Sequence, residues 1–443
     1  MNNGLRTLAM IFSLLSFGIL NAQDRRPINL NEAVDLGLKN SKQLKNSQAK
    51  IEEATGALKE ALERRLPDIK ATGAWLWLSN PNIELKTKTS GNPSQGAMPE
   101  ASQATYGIVN ASLPIYSGGR IHYGIESSKL LAEAAKLDAD NNKQEVIGNI
   151  IEAYINLYKA KSSVNLVKEN LADAQQRVKD FSNLEKNGLL PRNDLLQAQL
   201  QASNIELSLV DAENNWQLAN VNMNLLLGLP DKTDLVPDSV IAEYSYTLKT
   251  LDDYIQTAYA QRKDKASVEL RKKAAETGVK ATKSEYYPNV AVTGGYIAAD
   301  IPQVLTVTNA ITLGAGVSYS LSSLWKTKSK LQQAEARAKQ AAIGEGLLDD
   351  NIKMEVNQAY LNFISTRKKI DVNTKAVEQA TENYKIVQNK HNNSLATTTD
   401  LLDANVAQLR AKLNLILAKA DEVLAYSKLL QSAGLLEQEN INK

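Results

Sequence analysis

Asp400 and Asp403 stand three residues apart in the segment Thr397-Thr398-Thr399-Asp400-Leu401-Leu402-Asp403, so on a helix both carboxylates lie on one face. The same spacing fits a plainer duty, with Asp400 as a helix N-cap and Asp403 simply solvated. The residues by themselves leave both readings open. Other titratable side chains offer less. His122 and His391 are the two histidines, far apart and without a partner at ligand spacing, so a metal centre is not expected. Cysteine is absent, which removes thiolate nucleophiles, zinc-thiolate sites and disulfides. Gly295 and Gly314 fall inside strand-like windows rather than before a helix, so no phosphate-cradling loop is expected. Without a grouping of acid, base and nucleophile, the chain reads as a non-enzyme that carries no cofactor.

The elements that position these residues come from an internal duplication. Glu152-Ala153-Tyr154-Ile155-Asn156 matches Gln358-Ala359-Tyr360-Leu361-Asn362 at a shift of 206, and the same shift pairs Asp194-Leu195-Leu196 with Asp400-Leu401-Leu402 and Gly228 with Gly434. Upstream the shift is 221, pairing Leu30 with Leu251 and Pro67 with Pro288, so the first half carries 15 extra residues between Pro67 and Ser112. Residues 80–104, rich in Asn, Pro, Ser and Gly, are the expected site of that longer loop. The division that follows is a first repeat at 23–229, a linker at 230–248, a second repeat at 249–435 and a tail at 436–443.

Each repeat reads as helix, two strands, long helix, break, helix. No proline occurs between Pro114 and Pro191 or after Pro302, so Ile125 to Asn187 can run as one helix of roughly 95 Å. Val146, Ile150, Tyr154 and Leu157 recur at three- and four-residue steps among Ala, Gln, Asn, Lys and Glu, a coiled-coil composition. Gly188 and Asn393 sit where the two long helices are expected to stop.

Of the 443 residues 43% are hydrophobic and 23% charged, with a net charge of +2. That balance speaks against a nucleic-acid partner, which needs clustered base. After the N-terminus no run of eighteen apolar residues occurs, so no membrane-spanning helix is expected. Residues 1–22 read as a signal peptide, with Arg6, an apolar stretch from Leu8 to Leu20, and a small-residue site at Ala22.

Four windows, 71–83, 101–119, 286–299 and 301–325, contain no charged residue. Each carries strand signals, among them Trp75, Trp77, Tyr106, Val290, Ile311 and Tyr319. Gly107, Val109, Ala111, Leu113 and Ile115 make one face small and apolar, while Tyr106, Ile108, Asn110 and Ser112 make the other more polar. Outer-membrane strands alternate in this way; two hairpins on a soluble α+β domain are the plainer alternative. Four strands cannot close a membrane barrel, and an open sheet edge in lipid leaves backbone groups unpaired at several kcal/mol each. Strands in a membrane would therefore require several copies, and three copies supply twelve strands with room for a lumen.

The duplication, the strand pair before each long helix, the opening Leu30-Asn31-Glu32-Ala33-Val34 and the segment Asn393 to Ala404 resemble the TolC family of outer-membrane efflux proteins over about residues 28 to 435. The resemblance implies a mainly α, mixed α and β fold. In it a homotrimer forms a 12-stranded outer-membrane β-barrel continuous with a periplasmic coiled-coil tube. It implies an outer-membrane location in contact with lipid, a periplasmic adaptor protein, and an inner-membrane transporter of resistance-nodulation-division or ABC type. The function it implies is a passive exit duct for drugs or small toxic compounds. The same duct serving type I protein secretion is an alternative that no residue excludes. A periplasmic scaffold or adaptor without a pore fits less well, because it predicts one hairpin rather than two similar halves.

By the same resemblance Asp400 and Asp403 match a ring of aspartates that constricts the channel and attracts cations. Asp194 stands on the latch side of that gate, with Asn193 where a Thr is expected and His391 where a Tyr is expected. Ala396 replaces an Arg that helps hold the gate shut, so the latch here differs. Crowding six carboxylates would raise some of their pKa values. Gly188, Leu189, Leu190, Leu395 and Thr397 to Thr399 are candidate adaptor contacts at the hairpin tips, with turn chemistry and packing as their plainer role. Trp75 and Trp77 fit either an interfacial aromatic belt or a buried position where barrel meets tube.

Overall fold

The structure, a computed structural model, describes residues 25–79, 102–238, 248–302 and 305–437. The expected signal peptide lies outside the described residues, as do most of the 80–104 loop, part of the 230–248 linker and most of the 436–443 tail.

In chain order the elements are β1 (Arg25–Ile28), α1 (Leu30–Asn40), α2 (Lys42–Glu63), β2 (Asp68–Trp77), β3 (Gln103–Tyr116), α3 (Arg120–Lys186) and α4 (Arg192–Leu227). Then follow β4 (Asp234–Pro237), α5 (Leu251–Gln261), α6 (Lys263–Lys283), β5 (Asn289–Ile301), β6 (Leu305–Ser318), α7 (Ser323–Asn392) and α8 (Thr398–Ser432). The helix expected before each strand pair is two helices, broken at Ser41 and at Arg262. Asn29 starts α1 by accepting from the Glu32 N–H at 2.8 Å, and Thr250 with Asp253 starts α5 as a reciprocal cap. The long helices exceed the expected length: α3 begins five residues before Ile125 and has 67 residues, and α7 has 70.

The chain divides into two compact units. One is drawn from Met1–Gln48, Ala139–Lys263 and Leu348–Lys443. Its core joins Ile150, Ile151, Leu157, Met223, Leu227, Phe363 and Leu429, all nearly inaccessible. Tyr154 is 4% exposed and ties the parallel pair β1–β4 to this core. Its hydroxyl donates to the Ile28 carbonyl at 3.2 Å and accepts from the Asp238 N–H at 3.1 Å.

The other unit, Ala49–Asp138 with Asp264–Leu347, holds an antiparallel sheet in the order β2-β3-β5-β6. Antiparallel partners share a face, so the register sorts the residues by side. One cross-strand row runs Ala71, Val109, Tyr296, Ile311, and another on the same face runs Ile69, Ala111, Gly294, Leu313. The opposite face carries the row Lys70, Asn110, Gly295, Thr312. A Cβ on Gly295 would come within 2.9 Å of Asn110 Oδ1 and 3.0 Å of Thr312 Oγ1, so glycine is what lets those polar groups approach. The apolar side is solvent-facing in the single chain, with Ile311 80% and Leu313 86% exposed. Strands β2 and β6 are both edges, with no partner on their outer side among the described residues. No described helix is long and apolar enough to cross a membrane.

α7 ends at Asn392, directly before the expected Asn393, but the left-handed residue of the turn that follows is Ser394. Gly188 adopts φ 72° after α3, and its counterpart at the shift of 206 is Ser394, with φ 57°. Both turns close in the same way: Leu189 N–H donates to the Leu184 carbonyl at 2.9 Å, and the same closure recurs as Leu395 N–H to the Lys390 carbonyl at 2.8 Å. Asn393 instead caps the preceding turn, donating from Nδ2 to the Asn389 carbonyl at 2.7 Å. A left-handed L-residue is strained by roughly 1–2 kcal/mol. Ser394→Gly is therefore expected to stabilise the α7–α8 turn by about 1 kcal/mol, read as slower amide exchange at Ser394 and Leu395. Faster exchange would show that the serine side chain stabilises the turn.

Candidate functional site

At the tips, α3 turns into α4 through Pro191 and α7 turns into α8 through Thr397. Asp194 and Asp400 are equivalent, each the third residue of its helix, yet they behave differently. Thr397 supplies a hydroxyl that accepts from the Asp400 N–H at 3.1 Å, while the Asp400 carboxylate accepts from the Thr397 N–H at 2.9 Å and from its hydroxyl at 2.6 Å. Asp400 is thus not the N-cap itself but the returning half of a capping box. Pro191 has neither N–H nor hydroxyl, so Asp194 is released from capping and turns elsewhere. It accepts from Thr398 Oγ1 at 3.0 Å and from Asn193 Nδ2 at 2.9 Å.

Thr398 is only 3% exposed; of the seven tip residues proposed as contacts it faces inward and joins the two repeats. His391 Nε2 lies 3.3 Å from the Thr398 oxygen. Since the hydroxyl has one proton and gives it to Asp194, the histidine must be the donor at Nε2. Its ring stacks on Phe181 of α3, centroids 5.6 Å apart. Beneath them Phe181, Leu195, Ala198 and Leu401 form a small buried cluster drawn from both repeats. Leu190 packs on that cluster, whereas Leu189 and Leu395 are 73% and 76% exposed. Thr399 reaches Gln197 at 3.2 Å. An open cavity of about 1120 Å³ lies over this region, bounded in part by Asp173, Arg177, Asp194, Tyr384 and His391. Arg177 donates from Nη2 to the Tyr384 hydroxyl at 2.9 Å, and its buried Nη1 has no acceptor among the described residues. Sequence reasoning missed Arg177, Tyr384 and Phe181, because none has a like residue at the repeat shift that would single it out.

Asp400 and Asp403 are both exposed on α8. The Thr397 hydroxyl, then the Thr397 N–H, hold the Asp400 carboxyl below its ordinary value. Within one chain the cap is the dominant neighbour; the crowding expected to raise some carboxyls belongs to an assembly of several copies. A depressed carboxyl stabilises the fold above its unfolded pKa and loses that contribution as pH falls through the folded one. Thr397→Ala is expected to return Asp400 toward the ordinary range and to fray the first turn of α8, which the pH dependence of the Asp400 carboxyl carbon shift would show. An unmoved titration would mean that the cap does not set it.

Trp75 and Trp77 lie at the end of β2 remote from α2, 63% and 71% exposed, with Trp75 Nε1 donating to Gln103 Oε1 at 3.2 Å. They are not buried at the junction of strands and helices, one of the two expected places. Among the described residues no group of three or more Asp, Glu or His is arranged to hold a metal ion.

The Outer membrane efflux protein family matches residues 33–229 and 254–435, one match per repeat. The outer membrane efflux protein BepC of Brucella suis is 22% identical over 421 residues, covering 90% of this chain and 89% of its own length. Toxin and drug export protein A of Aggregatibacter actinomycetemcomitans is 22% identical over 413 residues, covering 91% and 85%. The solved outer-membrane channel OprN superposes with a TM-score of 0.78 at 18% identity, over 91% of this chain and 89% of that one. A family match that repeats at the duplication and takes in nearly every described element leaves one assignment: this chain belongs to the outer membrane efflux protein (TolC) family, non-enzymatic outer-membrane channels of tripartite efflux systems with a periplasmic helical domain.

Proposed function

We propose that this chain forms a passive exit duct for drugs or other small toxic compounds, assembled from three copies. The observation that carries the reading is the four-stranded sheet, with one apolar face turned to solvent and two unpaired edges. Lipid would cover that face, and pairing β6 of one copy with β2 of the next would close twelve strands and leave no edge. The helices support the same count. Leu200, Leu207, Leu218 and Leu225 of α4 are exposed at steps of seven and eleven residues, as are Met354, Leu361 and Val372 of α7. Stripes of this kind are coiled-coil seams waiting for a neighbouring helix.

In this reading Asp400 and Asp403 contribute six carboxylates to a constriction, with Asp194 beside it. His391, Thr398, Asp194 and Asn193 form the tie that stands in for the arginine missing at Ala396. Gly188, Leu189 and Leu395 present the tips to a periplasmic adaptor, with Leu190, Thr397 and Thr399 shaping them. Trp75 and Trp77 sit at the outer aromatic belt. Residues 1–22 direct export, and 23–229 and 249–435 are the two structural repeats. An inner-membrane transporter supplies the energy.

The test is complementation of a cell lacking its own exit duct but retaining pump and adaptor. Faster loss of preloaded ethidium on expression of this chain supports small-compound efflux. No change in ethidium loss, with restored secretion of a type I substrate, would assign the duct to protein export instead.

A further inference from the structure

All four junctions between sheet and helices lie at one end of the sheet, since β2 and β5 begin there and β3 and β6 end there. Packing holds them together: a Cβ on Gly118, after β3, would meet the Ser284 carbonyl at 2.6 Å and Tyr287 Cβ at 2.7 Å. At this end Tyr116, Tyr287, Val317, Tyr319 and Trp325 are exposed, Trp325 by 63%. Tyrosine and tryptophan with one wet and one apolar side belong at a membrane–water boundary.

Charge begins just beyond that band. The windows 71–83, 101–119, 286–299 and 301–325 are free of it; at this end of the sheet the first charged residues after the second and fourth windows are Arg120 and Lys326, with Lys328 following, and Arg65 and Lys283 stand before the strands of the other two. All five are exposed, and among the described residues none of them is in an ion pair. The acids nearby are largely taken: Asp68 by Lys70 at 2.9 Å, Glu60 by Arg64 at 3.0 Å, and Glu285 by Lys330 at 2.7 Å. What remains is an excess of cations in a row directly beneath an aromatic band.

We propose that this belt binds the phosphate headgroups of anionic phospholipids in the membrane leaflet nearest the helices. The aromatic rings sit at the level of the glycerol, and the basic side chains reach up past them. Each such cation gains from a negatively charged leaflet, and none must first break a salt bridge. The proposal rests on the membrane reading of the sheet above. A free phosphate ion would satisfy the cations but not the rings, which favours the lipid as the occupant.

The test is native mass spectrometry of the full-length protein released from nanodiscs of phosphatidylcholine with three parts in ten phosphatidylglycerol. Retained phosphatidylglycerol should exceed its share of the bilayer, and Arg120→Gln/Lys326→Gln/Lys328→Gln should bring it back close to that share. The charge-conserving Arg120→Lys/Lys326→Arg/Lys328→Arg should keep it. Retention in proportion to the bilayer, or an excess unchanged in the neutral variant, overturns the inference. So does loss of the excess in millimolar inorganic phosphate at constant ionic strength, which would indicate a general anion site. Failure to enter pure phosphatidylcholine nanodiscs would instead strike the membrane reading itself.

Discussion

Ile311→Arg in β6 is expected to keep the protein out of the outer membrane, whereas Thr312→Arg, one residue on, is expected to leave assembly intact. The two positions lie near the middle of the same strand and share its backbone, but they project from opposite faces. Ile311 lies in the row with Ala71, Val109 and Tyr296, and Thr312 in the row with Lys70, Asn110 and Gly295. An arginine at the lipid-facing midplane of a barrel costs about 2–4 kcal/mol. Three copies carry it three times, so the assembled trimer would lose about 6–12 kcal/mol, comparable to the stability of a whole domain. On the other face the new cation meets water and polar neighbours. The readout is the amount of trimer in outer-membrane extracts on unheated gels. Equal tolerance of both variants would mean that the apolar face does not meet lipid.

Much of this architecture was legible from residue types because duplication doubles every signal. A break at Gly188 is weak evidence alone, but with a turn at the same shift after α7 it marks a hairpin twice. The strands were legible because charge is absent from four windows of a chain that is 23% charged. Local interactions that differ between the repeats were not legible. Whether a helix is capped by Thr397 or by Pro191 changes what its third residue does, so Asp194 and Asp400 diverge although the repeat aligns them. Thr398 looked like a tip residue, yet it is buried because Asp194, freed by Pro191, needs a donor. Asn393 does mark where α7 stops, but the left-handed conformation that asparagine would tolerate falls one residue later, at Ser394. The partnership of Arg177 with Tyr384 joins helices 207 positions apart in sequence, and no periodicity announces it.

The Asp400→Asn/Asp403→Asn double variant is expected to abolish cation selectivity in planar bilayers without abolishing conduction. A carboxylate about 6 Å from a permeating cation attracts it by roughly 0.7 kcal/mol in water and about 3 kcal/mol at an effective dielectric of 20. Six of them around one axis make several kcal/mol, so a permeability ratio of potassium to chloride well above tenfold should fall toward unity. Structure and charge must be separated, because Asp400 also closes the capping box with Thr397. Thr397→Ala provides that separation: it removes the cap and keeps the charge, so it should keep the selectivity. Acid should mimic the double variant. The cap holds the Asp400 carboxyl low while crowding of like charges works against it, so selectivity should fade over a broad span of falling pH rather than in one sharp step. If the wild type conducts with strong cation preference and the double variant matches it, the constriction lies elsewhere along the duct. If Thr397→Ala alone erases the preference, Asp400 acts through the start of α8 and not through its charge.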